Sequence, residues 1–170
     1  MTTTPKDNLL DWLRDAHAME QQAEQMLKGQ IGRIENYPAV KARLEQHLQE
    51  TLGQQQLLEG AIRRLGGSPS AFKDTMAKVT AFGQAVGGMM APDEIVKGSI
   101  AGYVFEQMEI ANYTALIAAA EAVGDLETAR ICQQILPQEQ EMAQWLQDHL
   151  PGLVQEFLAR SATDGVEAKR

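Results

Sequence analysis

Glu106 and Glu109 lie one helical turn apart in the stretch DEIVKGSIAGYVFEQMEIANYTALIAAAEAV, residues 93–123. On a helix their Cβ atoms would be about 5–6 Å apart on one side. Stepping by four and three residues, that side reads Ile95, Ser99, Gly102, Glu106, Glu109, Tyr113, Leu116, Ala120 and Val123. This is the stripe that packs into a core, and both carboxylates interrupt it. A helix has a whole polar face for charge. Carboxylates on the packing face therefore imply a metal, a proton-sharing pair or a water-filled cleft. The same stepping places Glu20 among Leu9, Leu13, Ala16, Ala23 and Leu27, and Glu139 among Ala129, Cys132, Leu136, Ala143, Leu146 and Leu150. Three stripes thus carry a central Glu, and none carries a Lys or Arg to neutralise it. Inward carboxylates from several helices are the donor set of carboxylate-bridged metal bundles, and their hard oxygens suit iron, manganese, magnesium or calcium.

Four long helices must position these groups. The first is expected over residues 6–30, ending before Gly32 and Asn36-Tyr37-Pro38. The second spans 38–65, with Pro38 in its first turn and Gly66-Gly67 behind it. Its stripe is read as Leu44, Leu48, Thr51, Gln55, Leu58, Ile62 and Leu65, leaving His47, Glu50 and Gln54 on the flank. The short first connection makes helices 1 and 2 an antiparallel hairpin. A connection over 66–92 follows, with Phe72, Met76, Val79 and Phe82 marking a short amphipathic helix. It is long enough to return the chain to the other end of the bundle. Helix 3 spans 92–123; helix 4 follows Gly124-Asp125 and is expected to kink at Pro137 and stop at Pro151-Gly152, with a further helical turn, VQEFLAR, behind the stop. The expected organisation is one helical domain over 1–155 and a mobile end over 156–170.

Composition narrows the function classes. The 170 residues suffice for one core burying roughly two-thirds of the unfolded surface. A net charge of -8 leaves no basic footprint for nucleic acid or an anionic membrane. No run reaches the length of a membrane span, and the first residues do not read as a signal peptide. The single Cys132 allows no internal disulfide, which fits a reducing, cytoplasmic setting. Read from the helix pattern, His17 is a rim residue within reach of Glu20, His47 is a flank residue with ligation as the lesser alternative, and His149 is a helix-end residue. The space left by Gly98, Ala101 and Gly102 suggests a small-molecule cleft.

The segments DAHAMEQQAEQML, EQHLQETLGQQQLLEGAIRRLGG, FEQMEIANYTALIAAAEAVGD and ARICQQILPQEQEMAQWL resemble the YciE/YciF family of ferritin-like stress proteins over residues 6–150. The resemblance implies an all-α ferritin-like four-helix bundle with a crossover between helices 2 and 3, often a homodimer. It also implies a di-iron site drawing on a Glu from helices 1 and 3 and Glu-x-x-His from helices 2 and 4. Glu20, Glu106 and Glu139 match that pattern, but Gln49-Glu50-Thr51-Leu52 and Met142 stand where the two Glu-x-x-His motifs would be completed. The expectation is therefore a degenerate centre without imidazole, with Glu20, Glu106, Glu109 and Glu139 as oxygen ligands and Glu50 as a weaker candidate. Thr51, Gln55 or Leu52 would represent helix 2 there. Iron or manganese would be the metal if any binds, and no catalytic residue is assigned. The alternative is a non-catalytic structural or interaction protein that kept the bundle and lost the chemistry.

Overall fold

The computed structural model describes residues 3–68 and 91–170. Four helices make up the described fold: α1 (Pro5–Ile31), α2 (Pro38–Arg64), α3 (Glu94–Ala122) and α4 (Leu126–Ser161). Each begins or ends where the chain chemistry directs. Thr4 and Asp7 form a capping box at the start of α1, with Pro5 in the first turn. Pro38 opens α2 in the same way. Gly124, at φ +76°, supplies the left-handed turn after α3, and Asp125 then caps α4 by accepting from the Thr128 amide at 3.2 Å.

Two hairpins, α1–α2 and α3–α4, pack against each other, with α1 on α3 and α2 on α4. Ion pairs at the two ends show how they are joined. At the end of α2, Arg64 reaches Asp125 in the α3–α4 turn at 2.8 Å. At the start of α3, Glu94 meets Arg33 of the α1–α2 turn at 2.6 Å. The start of α3 therefore lies at the opposite end of the bundle from the end of α2, and the two helices run parallel. Their connection must travel the bundle's length, about 40 Å for a 27-residue helix. This is the expected long crossover. The short helix expected around Phe72–Phe82 lies outside the described residues.

The expected stop at Pro151-Gly152 does not occur: α4 continues through Pro137 and Pro151 to Ser161, so the boundary drawn at residue 155 falls inside it. Both prolines are exposed, while Leu153 beyond the second is buried in the core with Phe157 packed against it. Packing on the inner face carries the helix past a missing amide on the outer one. The following residues fold back over the α1–α2 turn. Ala168 O accepts from the Tyr37 hydroxyl at 2.5 Å, Lys169 O from the Ile95 amide at 3.0 Å, and Arg170 O from the Asn36 side chain at 2.8 Å.

Apolar side chains gather in two clusters. One holds Leu9, Leu13, Leu58, Ile62, Leu116 and Ile135 toward the α3–α4 turn; the other holds Leu27, Leu44, Ile95, Met142 and Leu146 toward the α1–α2 turn. Between them lies the buried charge.

Candidate metal centre

Helix periodicity turns Glu20 of α1, Glu106 and Glu109 of α3 and Glu139 of α4 inward, and all four are buried. His47, Thr51 and Gln54 of α2 are buried with them. One ligand atom each from His47, Glu106, Glu109 and Glu139 lies within 4.8 Å of the others. The expectation of a centre without imidazole is thereby overturned: α2 contributes His47, and neither Gln55 nor Leu52 takes that place. The buried face of α2 runs Val40, Leu44, His47, Thr51, Gln54, Leu58 and Ala61. It is displaced by one residue at two steps from the face expected through Leu48 and Gln55. Gln55 instead donates to Glu24 at 2.8 Å and to the Glu20 carbonyl at 3.2 Å.

Glu50 stands outside this cluster and holds the imidazole in place. Its Oε2 is 2.7 Å from His47 Nδ1, and Gln46 at 3.0 Å and Arg43 at 3.4 Å fix the carboxylate. With Nδ1 engaged outward, Nε2 faces the centre, 3.3 Å from Glu106 Oε2 and 3.4 Å from Glu139 Oε2. A carboxylate behind a histidine fixes ring orientation and raises its basicity as a ligand. Two further residues hold Glu20 and Glu139. The Tyr113 hydroxyl donates to Glu20, and the Gln54 amide donates to Glu139. Gln54 also donates to Gln138 at 2.9 Å.

The electrostatics show what this arrangement lacks. Burial pushes the Glu20 carboxyl up to about 8, against the opposing pull of Tyr113 and His47. Burial, reinforced by the surrounding carboxylates, raises Glu109 and Glu139 well above the ordinary range. For His47, burial acts to lower the pKa, but Glu106 and Glu50 outweigh it and hold the imidazole at about 10. Burial would raise Glu50, yet His47 and Arg43 bring it below its usual value. Without a bound cation, one imidazolium and several protons must therefore compensate the charge. In that state Glu109 has only the neighbouring Glu139 carboxyl as a partner, and Oε2 of Glu20 is without one. Orphaned, desolvated carboxylate oxygens beside an inward imidazole nitrogen fit a divalent cation with nitrogen and oxygen preference.

The remaining sequence candidates fall elsewhere. His17 is buried rather than on the rim, and its Nε2 lies 3.3 Å from Glu59, away from the cluster. His149 is inside the extended α4, stacked on Trp145 with ring centroids 3.9 Å apart. Cys132 is a buried free thiol whose pKa burial pushes up to about 12, as suits an inert core residue. Met142 is fully packed where the second imidazole of the ferritin-like pattern would be.

Solved structures of other proteins share this architecture. A protein from Xanthomonas campestris pv. campestris is 41% identical, covers 94% of this chain and 99% of its own, and superposes with a TM-score of 0.80. YcfI from Rhodopseudomonas palustris is 27% identical over 85% of this chain and 93% of its own, with a TM-score of 0.68. A dodecameric thioferritin, the bacterioferritin-related protein of Bacteroides fragilis, shares the fold at 19% identity, with a TM-score of 0.64 over 94% of this chain and 92% of its own. Residues 4–159 match DUF892, a domain of unknown function, and so take in all four helices up to the last turn of α4. The chain belongs to this YciE/YciF-like family of ferritin-like bundles.

Proposed function

We propose that the bundle centre binds a divalent metal ion, iron or manganese, through His47, Glu106, Glu109 and Glu139, with Glu20 as the adjoining carboxylate. The observation that carries this reading is the convergence of four buried ligand atoms within 4.8 Å. The mixed nitrogen and oxygen set favours a first-row transition metal over calcium or magnesium. Bound there, such an ion would supply Lewis acidity and one-electron chemistry in a site shielded from bulk water. The chain's own residues do the rest. His47 gives up its Nε2 proton and keeps Nδ1–H on Glu50, and the raised carboxyls release theirs as the cation takes over compensation. Tyr113 and Gln54 hold Glu20 and Glu139 by donating to them. The test is a titration of chelator-treated protein with Mn2+ and with Fe2+ under anaerobic conditions, followed by calorimetry and melting temperature. At a free metal concentration 100-fold above Kd, stability should rise by about 2.7 kcal/mol. His47→Gln should remove most of that rise. Unchanged melting and no heat of binding with either metal would overturn the reading. The family resemblance further supports a homodimer acting in a stress response.

A further inference from the structure

A cavity of about 60 Å³ lies between the helices at the α1–α2 end. Leu27, Leu44, Ile95, Phe105, Met142 and Leu146 form its walls, Glu106 is at its inner end, and Glu94 and Arg170 are at its mouth. Two of its polar side chains are engaged with backbone. Ser99 donates to the Ile95 carbonyl at 2.9 Å, and Gln30 donates to the Gly98 carbonyl at 3.3 Å. Between the charged groups at its two ends the walls are apolar, and apolar cavity walls favour occupants such as benzene or xenon over water.

Nor is the space forced by packing. A Cβ on Gly102 would meet only Leu146 Cδ1, at an ordinary 3.5 Å. Glycine in a helix interior costs about 1 kcal/mol relative to alanine. The chain carries that cost at Gly102, where a methyl group would fit and would narrow the cavity. An opening kept at a cost, with an apolar wall and one buried carboxylate at its end, is a binding chamber in form.

We propose that this cavity binds an aliphatic group, with the innermost carbon against Glu106. A cavity of about 150 Å³ accommodates benzene, so this one matches about two or three carbons. The occupant is therefore a free molecule of that size or the end of a longer alkyl chain leaving between Glu94 and Arg170. Residues 168–170 lie across that mouth through the hydrogen bonds to Tyr37, Ile95 and Asn36. The inference shares only Glu106 with the proposed metal centre.

The test uses metal-free, full-length protein, so loss of metal binding and loss of this site are read separately. Methyl NMR of Met142 and Leu146 is followed during titration with xenon and with 1-alkanols from ethanol to octanol. Saturable shifts are expected with both. Affinity should rise about four-fold for each methylene taken up. A plateau after propanol identifies a free small molecule, and a continued rise to octanol identifies a chain end; either agrees with the site. Gly102→Ala should weaken binding several-fold and Gly102→Leu should abolish it. If the leucine variant does not fold, the alanine variant decides. Linear, non-saturating shifts in the unaltered protein, or affinity unchanged by the substitution that folds, would overturn the proposal.

Discussion

At the scale of single residues, His47 and Glu50 show how an inward imidazole and the carboxylate behind it can be missed. The ferritin-like template places Glu before His in Glu-x-x-His; here the order is His47-x-x-Glu50, with the ring inward and the carboxylate behind it. Taking Leu48 as the stripe residue because it is apolar turned the face by about 100° at that step. The regular run Leu44, His47, Thr51, Gln54, Leu58 was in the sequence, but its centre is polar and apolar periodicity could not favour it. Glu20, Glu106, Glu109 and Glu139 were legible because each interrupts an otherwise apolar row. Two predictions belong here. Glu50→Gln should lower metal affinity about 10- to 100-fold while leaving the fold intact, measured by calorimetry. Metal-free stability should fall as pH rises. The folded protein keeps protons on Glu20 up to about 8 and on His47 up to about 10, whereas the unfolded chain releases them near 4.5 and 6.5. Their contribution is complete below the lower values and lost through the higher ones, with Glu50 working the other way only in acid. Urea melts from pH 5 to 9 should show the decline; a flat or rising profile would contradict the protonation scheme. Added Mn2+ should reverse the trend, since the ion competes with those same protons.

At the scale of elements, periodicity marks α1 and α3 almost completely, whereas the rule that proline ends a helix stops α4 too early. The rule describes a lost hydrogen bond, and an exposed amide position is where that loss is least felt. What carries α4 onward is the burial of Leu153 with Phe157 against the Tyr37 end of the core, a long-range contact that no local signal announces. Leu153→Ala should therefore destabilise the protein by about 2 kcal/mol in equilibrium unfolding. Leu158→Ala, at an exposed site on the same helix, should stay within about 0.5 kcal/mol. Equal effects from the two would remove the packing explanation. The N-terminal box of α1 gives a second check. Thr4→Ala should cost about 1 kcal/mol, since it removes the hydroxyl that accepts from the Asp7 amide and donates to the Asp7 carboxylate.

At the scale of the whole molecule, a homodimer is expected from the family resemblance, and light scattering at micromolar concentration should give twice the 18.7 kDa chain mass. A monomer mass would remove that expectation. Among the described residues no helix is long and apolar enough to cross a membrane. The crossover has a consequence for how the molecule comes together. Each hairpin is local in sequence and can form early, whereas docking the two halves has to wait for a bundle-length connection to close. The proposed ligands are divided across that seam: Glu20 and His47 belong to the first half, Glu106, Glu109 and Glu139 to the second. Neither half holds the full set. Docking is thus the step that adds Glu20 and His47 to three carboxylates already neighbours in the second hairpin and takes them all out of water, which is opposed by desolvation unless protons or a cation arrive with it. An ion present during refolding should therefore speed the late phase and leave hairpin formation unchanged, making the metal a clasp closed last.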